Sequence, residues 1–292
     1  MKRFDLIRPR SVEEACAILS DESTESKIIG GGTALVILLK QKVFVPEKLV
    51  SVKDIPGLSY IEYDPEQGLR IGANTSQHEV EMSELLKKEY PLLATAASKV
   101  GNIRVRVMST VGGTICEADH QSDLPPTLTA LGAVIVVQGP EGRRTIPISE
   151  FYLGPYETVL ARNEIVVEVQ VPPMRPGSAG VYLKHVTGPI TDRPCLGVAA
   201  VCSRDASGRV DHVSIVLGGI AGVPWRPVRA EEVLRGSELN EETIRRAAEA
   251  AYEAAEPLGD LRGSAWYKKE MVKVFVGRAL TQLREKLDKG ER

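Results

Sequence analysis

Cysteine and histidine are both scarce in this sequence, with four residues of each among 292. Cys16, Cys116, Cys195 and Cys202 lie far apart, and no pair has the C-x-x-C spacing typical of iron–sulfur or zinc sites. The four histidines are equally dispersed. The sequence therefore predicts no metal site on this chain.

Long hydrophobic runs are also missing, since no apolar stretch reaches the roughly 18 residues that a membrane-spanning helix needs. The Met-Lys-Arg start continues into mixed charged sequence without the apolar segment of a signal peptide. The net charge is −2, with 26% charged and 43% hydrophobic residues, which argues against disorder and against a basic nucleic-acid surface. We expect a globular cytoplasmic protein with no membrane span and no nucleic-acid partner.

The chain is longer than one usual domain of roughly 100 to 200 residues, so two domains are expected. Strand and helix signals predict a small βαβ unit within residues 1–56, and the runs 58–63 and 69–73 predict a hairpin. Helices are expected at 77–87 and 91–100, followed by an irregular segment from 101 to 126.

The proline-rich stretch 172–177 predicts the boundary between the two domains. The fold class is α+β. Its N-terminal domain, residues 1–175, would combine the βαβ unit with a mixed sheet and helices, in subdomains of about 1–56 and 57–175. The smaller C-terminal domain, residues 176–292, would contain an antiparallel sheet and helices.

Three consecutive glycines, Gly30, Gly31 and Gly32, follow a predicted strand and precede Thr33 and an apolar helix start. Glycine removes the side chains that would keep a ligand from backbone N–H groups, and a helix N-terminus favours an anion. The pattern indicates phosphate binding, although glycine triplets also occur as plain tight turns. It is not the G-x-G-x-x-G fingerprint, which argues against a nicotinamide-dependent dehydrogenase.

A second diglycine, Gly112 and Gly113, lies in the irregular segment between Thr110 and Thr114. Backbone amides from two such segments could surround a diphosphate. Asp123 follows closely, but phosphate would repel its carboxylate. Asp123 is therefore expected either to bind ribose hydroxyls or an adenine amine, or to cap a helix that starts near residue 125.

The two glycine segments resemble those of the FAD-binding subunit of the molybdenum hydroxylases, a family that includes the medium subunit of carbon monoxide dehydrogenase and the flavin domain of xanthine dehydrogenase. That family usually has A-G-G-T-D-L in the first segment, and R-N-x-G-T-x-G-G-N-I followed by A-x-P-x-S-D-L-P-P in the second. The corresponding residues here are 30–35, 106–115 and 118–126. Similar residues continue through 151–158, 182–184, 197–199 and 267–269, so the resemblance covers nearly the whole chain.

The resemblance implies an FAD site formed by both segments and by single residues elsewhere. Its expected residues are Ile28, Ile29, Gly30, Gly31, Gly32, Thr33, Ala34, Leu35, Val100, Thr110, Gly112, Gly113, Thr114, Asp123, Val166 and Lys184. Residues 28–35 would line the diphosphate and flavin, and the second segment would contact the diphosphate. Asp123 would hold the adenosine part.

Three further residues have implied roles and simpler alternatives. Val100 would pack beside the cofactor and Val166 on the adenine, unless both are core residues. Lys184 would reach the flavin, unless it is a solvated strand lysine. Two departures from the family pattern, Thr114 for asparagine and Ala34 for a polar residue, bear on how the flavin is tuned.

The resemblance also implies partners. A molybdopterin-binding large subunit would oxidise the substrate, and a [2Fe-2S] small subunit would pass the electrons to FAD on this chain, which would need no catalytic acid, base or nucleophile. Asp119 and His120 depart from the family pattern and are expected to be surface charge, with a partner-facing loop as the alternative. The segment Gly218 to Arg226, which contains Trp225, is expected to face a partner, with a buried tryptophan as the alternative.

Two other functions stay open. One is a self-contained FAD oxidase that binds its own organic substrate, against which the short C-terminal domain argues. The other is a non-catalytic nucleotide-binding or assembly protein.

Overall fold

The N-terminal segment forms the predicted βαβ unit, seen in a computed structural model that describes residues 3–292. Its elements are β1 (Asp5–Ile7), α1 (Val12–Leu19), β2 (Ser26–Ile29), α2 (Leu35–Lys40) and β3 (Lys48–Ser51). The strands are parallel in the order β1-β3-β2. Ser11 caps α1 by accepting the Glu14 N–H at 3.1 Å, and Cys16 is buried on the apolar face of this helix. This arrangement places residues 30–34 at the carboxyl end of β2.

A five-stranded sheet follows, in the order β4-β5-β10-β6-β7. Its strands are β4 (Ile61–Asp64), β5 (Gly68–Gly72), β6 (Val134–Gly139), β7 (Gly142–Pro147) and β10 (Ile165–Val171), and the short strands β8 (Tyr152–Gly154) and β9 (Glu157–Thr158) form a separate hairpin. Every pair in the five-stranded sheet is antiparallel, so this sheet is not mixed. The pairs β4-β5 and β6-β7 are antiparallel because each is a tight hairpin, whereas a parallel pair needs a long crossover; β10 runs antiparallel to both of its neighbours as well.

Short helices pack on one face of this sheet, and α1 packs on the other. They are α3 (Gln77–Met82), α4 (Glu84–Glu89), α5 (Pro91–Ser98), α6 (Ile103–Met108), α7 (Val111–Glu117), α8 (Leu124–Ala130) and α9 (Ile148–Phe151). The helix predicted at 77–87 is interrupted at Ser83, whose extended backbone and hydroxyl cap start α4. The segment predicted to be irregular contains α6 and α7, because helices of one or two turns show no clear hydrophobic period.

The C-terminal domain has the predicted antiparallel sheet with helices. It consists of β11 (Ala179–His185), β12 (Leu196–Arg204), β13 (Val210–Gly218), α10 (Val228–Leu234), α11 (Glu241–Ala254) and α12 (Ala265–Lys289). Asn240 caps α11 and Ser264 caps α12, as their side chains predict. No helix among residues 3–292 is long and apolar enough to cross a membrane.

The sheet β11–β13 buries both of its faces. Val198 and Ala200 of β12 belong to the core that the C-terminal helices cover. Ala199 and Val201, which alternate with them, belong to the core of the N-terminal domain together with Tyr182 of β11. The two domains are therefore joined along a continuous apolar contact.

The segment expected to face a partner is part of the C-terminal domain. The backbone of Trp225 pairs with Leu217 in both directions, at 2.7 and 2.8 Å, and its side chain packs on the C-terminal core. Arg226 donates to the buried carboxylate of Glu231 at 2.7 Å. Trp225 is therefore partly buried, between the two alternatives, and the contact of this segment with a partner stays a prediction.

Burial lowers the pKa of three histidines, His120, His185 and His212, below its ordinary value. Near about pH 6.5 these histidines bind protons in the unfolded chain but stay neutral in the folded chain. The free energy of unfolding is therefore unaffected by them above about pH 6.5 and decreases as pH falls below that value. We expect the free energy of unfolding, measured by urea denaturation, to decrease between about pH 7.5 and about pH 5.5. Replacing His120 by glutamine should weaken that dependence. An unchanged pH dependence after all three are replaced by glutamine would contradict this account.

Candidate cofactor site

The two glycine segments lie directly against each other. A Cβ atom placed on Gly30 would lie 3.2 Å from the hydroxyl oxygen of Thr110, and one placed on Gly31 would lie 1.7 Å from the carbonyl oxygen of Met108. Only glycine fits this approach at position 31, because the atom it meets belongs to the backbone. The predicted association of the segments is therefore present in the fold.

The first segment presents a run of unused hydrogen-bond donors. The backbone N–H groups from Gly30 to Leu35 donate to no residue within 3–292. The segment is only half-buried, so an approaching ligand can reach it. Six consecutive donors without acceptors are uncommon in a folded chain and suit an acceptor-rich group such as phosphate.

The second segment offers no such donors. The N–H groups of residues 111–114 donate to the carbonyl oxygens of Ala73, Thr75 and Thr110 and to the hydroxyl of Thr110, at 2.8 to 3.0 Å. The expectation that backbone amides from both segments surround a diphosphate is therefore wrong for the second segment, which is the capped first turn of α7. What it presents is the bare Cα of Gly113, which is exposed; a Cβ added there would lie 2.8 Å from the Thr110 hydroxyl, which would have to shift, and would meet nothing else within 4 Å.

Two buried polar atoms without partners lie beside the same segments. The Ser109 hydroxyl and the Gln77 side-chain oxygen make no hydrogen bond within the described chain, although both side chains are buried. Ser109 adjoins Gly31, and Gln77 donates to the Thr114 hydroxyl at 3.0 Å. Such atoms are rare. The unused amides, the bare glycines and the Ser109 hydroxyl, which can donate, fit a phosphate-bearing cofactor; the Gln77 oxygen is an acceptor and does not add to this.

The wall of the site continues along α7 to Cys116, which sequence reasoning missed as a site residue. Gly113 and Cys116 lie three positions apart on one helix face. Solvent reaches the thiol, yet dense surroundings raise its pKa to about 12. Tyr152, whose hydroxyl has no partner in the described chain, lies near this thiol.

Asp123 and Lys184 form a buried ion pair, with 3.0 Å between the carboxylate and the ammonium group. The side chains are only 6% and 4% exposed. Tyr182 donates to the same carboxylate at 2.6 Å, and Lys184 also donates to the Lys99 carbonyl, next to Val100, at 2.7 Å. Burial raises the pKa of Asp123, while Lys184 opposes this most strongly.

This geometry corrects several expectations. Asp123 makes no capping hydrogen bond to α8, and Lys184 is not solvated, so both simpler alternatives are wrong. The implied roles place Asp123 and Lys184 at opposite ends of FAD, whereas a direct ion pair places them at one location. Val166 is buried in the core of the N-terminal domain, as its alternative states, and its contact with adenine stays a prediction.

Asp119 is not a surface charge. It is 4% exposed, forms an ion pair with Arg193 at 2.6 Å and accepts the Tyr156 hydroxyl at 2.9 Å. Arg193 also binds Glu117 at 2.6 Å. These contacts fasten the connection between β11 and β12 to the end of α7. No cluster of three or more metal-ligating side chains suited to a metal ion occurs in residues 3–292.

Comparison with protein families gives two matches that together cover most of the chain. Residues 2–174 match the model described as the FAD binding domain in molybdopterin dehydrogenase. Residues 183–283 match the CO dehydrogenase flavoprotein C-terminal domain. The chain therefore binds FAD.

Individual relatives match over most of their length. The carbon monoxide dehydrogenase medium chain of Hydrogenophaga pseudoflava is 36% identical over 95% of this chain and 96% of its own. The glyceraldehyde dehydrogenase medium chain of Sulfolobus acidocaldarius is 29% identical over 96% and 98%. A solved structure of carbon monoxide dehydrogenase from Hydrogenophaga pseudoflava superposes with a TM-score of 0.93 over 97% of this chain and 98% of that one. This chain accordingly belongs to the FAD-binding medium subunits of the molybdenum hydroxylase family, whose members are parts of oxidoreductases.

Proposed function

We propose that this chain takes electrons from the [2Fe-2S] clusters of a small subunit and passes them through FAD to an acceptor, within a complex whose molybdopterin-binding large subunit oxidises the substrate. The observation that supports this most is the run of unused N–H groups from Gly30 to Leu35, packed against the second glycine segment. Bound FAD supplies the ability to take up single electrons and to deliver them singly or in pairs.

The chain's own residues bind and position the cofactor. The N–H groups of residues 30–35 would donate to the diphosphate, and the bare Cα of Gly113 would let it approach α7. We assign Asp123 to holding Lys184 in place, because the two form one buried pair. Lys184 and the neighbouring Val100 would then lie beside the flavin, as the resemblance implies.

Two measurements test this function. The purified chain should show a flavin absorption spectrum, and acid precipitation should release the flavin, since its binding is non-covalent. In stopped-flow mixing, FAD should be reduced rapidly by the reduced iron–sulfur partner and not by an unrelated ferredoxin. Equal rates with both proteins would count against the subunit function, and oxidation of an organic substrate by the isolated chain would favour the self-contained oxidase.

We expect Gly113→Val to abolish FAD binding while the chain stays folded. Position 113 is exposed toward the site, so a branched side chain would occupy the space of the cofactor. FAD content by absorbance ratio and folding by circular dichroism measure the two effects. Gly277→Val in α12, where a Cβ has only an ordinary 3.8 Å contact, is the control and should retain FAD. Full FAD occupancy in Gly113→Val would show that the cofactor does not lie against α7 at position 113.

We expect FAD to protect Cys116 from alkylation. The other three cysteines are buried, so Cys116 should be the thiol that N-ethylmaleimide modifies in the cofactor-free chain. The reaction should be slow because the raised pKa leaves little thiolate. Mass spectrometry after a timed reaction measures it, with Cys116→Ser as the control. Equal labelling with and without saturating FAD would place the cofactor away from α7.

A further inference from the structure

Helix α6 exposes apolar side chains instead of burying them. Ile103 and Val107, one helical turn apart, are 48% and 51% exposed, and no residue of α6 is buried. Met108 at the end of α6 and Met82 at the end of α3 are 46% and 54% exposed. We call these four residues the α6 surface. Adjacent large apolar side chains left in water are typical of a surface that another protein covers.

The α6 surface is fixed beside the cofactor segment. The carbonyl oxygen of Met108 packs against Gly31. Thr110, the first residue of the second glycine segment, is only two residues further along the chain. Asn102 caps the start of α6, and Arg106 binds Glu81 at 2.7 Å, which holds α6 on α3. A protein seated on this surface would therefore come close to the residues that bind the cofactor.

The edge of the α6 surface is basic. Lys99 and Arg104 are exposed, and neither forms an ion pair within residues 3–292. A [2Fe-2S] cluster held by four cysteine thiolates carries net negative charge, because its sulfides and thiolates outweigh its iron charge. A basic edge around an apolar centre therefore complements a protein that presents such a cluster.

We propose that the α6 surface is the docking site of the iron–sulfur subunit, an inference that rests on the proposed function. Docking here would bury Ile103 and Val107 and seat the partner beside Met108, whose carbonyl oxygen packs against the cofactor segment at Gly31. Arg104 and Lys99 orient the anionic partner before the apolar contact forms.

The test uses the FAD-loaded chain and its purified iron–sulfur partner, with Ile103→Asp and Val107→Asp as variants. The dissociation constant measured by biolayer interferometry should rise by about tenfold or more in each variant, because a carboxylate would be buried in the contact. Flavin reduction at limiting partner concentration should slow by a similar factor, while FAD content stays unchanged. Leu261→Asp, in the exposed connection between α11 and α12, is the matched control and should bind as the parent chain does.

Charge supplies a second line of evidence. Arg104→Glu should weaken binding and reduce its dependence on salt, since this side chain interacts across solvent. If Ile103→Asp or Val107→Asp loses FAD, Arg104→Glu still tests the docking site. Unchanged affinity in the α6 and Arg104 variants, or a loss of binding to the molybdopterin subunit alone, would overturn the docking site. If the parent chain binds the partner but its flavin is not reduced, the proposed function fails. The dissociation constants of the variants would still show whether the partner docks on the α6 surface.

Discussion

Replacement of Gly31 by alanine is expected to eliminate FAD binding and to lower the free energy of unfolding by about 3 kcal/mol or more. The added Cβ would stand 1.7 Å from the Met108 carbonyl oxygen, and no side-chain rotation can relieve a contact with backbone. The segment 30–35 would have to move away from α6. Its aligned N–H groups would then lose the geometry that suits a diphosphate.

Gly30→Ala is the matched control for this prediction. A Cβ at position 30 would lie 3.2 Å from the Thr110 hydroxyl, a contact that a small shift relieves, and the family pattern usually has alanine there. FAD titration followed by flavin fluorescence, together with urea denaturation of the cofactor-free proteins, measures both effects. Equal FAD affinities in the two variants would show that close packing at position 31 does not shape the site.

Replacement of Lys184 by methionine is expected to destabilise the chain by about 3 to 5 kcal/mol, because it leaves the Asp123 carboxylate buried without its charge partner. Burial already raises the pKa of Asp123, and the substitution removes the strongest opposing influence. A carboxyl group with a raised pKa retains a proton in the folded state that the unfolded state releases. The stability of this variant should therefore fall as pH rises above about 4, the ordinary carboxyl pKa.

Lys286→Met is the control, since Lys286 is a partly buried lysine that donates to the Gly180 carbonyl at 3.1 Å and to the exposed terminal oxygen of Arg292 at 2.6 Å, with no buried carboxylate left behind when it is removed. It should lose only about 1 to 2 kcal/mol, the value of two hydrogen bonds. Adding Asp123→Asn to Lys184→Met should restore most of the lost stability, because the amide carries no charge and can still accept the Tyr182 hydroxyl. Urea denaturation at two pH values measures all three variants. If the double variant were no more stable than Lys184→Met, the unpaired charge would not be the cause.

The sequence predicted the elements whose signals are local. The βαβ unit, the caps at Asn240 and Ser264 and the antiparallel C-terminal sheet depend on residues close together in the chain. The short helices α6 and α7 were missed because six or seven residues give too little periodicity. The break at Ser83 was missed because its neighbours are all compatible with one continuous helix.

At the candidate site, the FAD-binding role of the glycines stays a prediction, and the sequence could not indicate which of them have free N–H groups. Whether an N–H group is available depends on its acceptor, and the acceptors for residues 112 and 111 are Ala73 and Thr75, far away in the chain. The pairing of Asp123 with Lys184 likewise crosses the two domains. Cys116 could have been found, since it lies one helical turn after Gly113, but that required knowing that Gly113 is in a helix.

The sheet β11–β13 couples the stability of the two domains. Because alternate residues of β12 belong to different cores, neither domain can unfold without exposing one face of a strand that the other needs. We therefore expect FAD bound to the N-terminal domain to raise the free energy of unfolding of the C-terminal helices too, by up to about 2.7 kcal/mol at a ligand concentration 100 times the dissociation constant. The cofactor would thus act as a stabilising ligand for helices far from the cofactor segment.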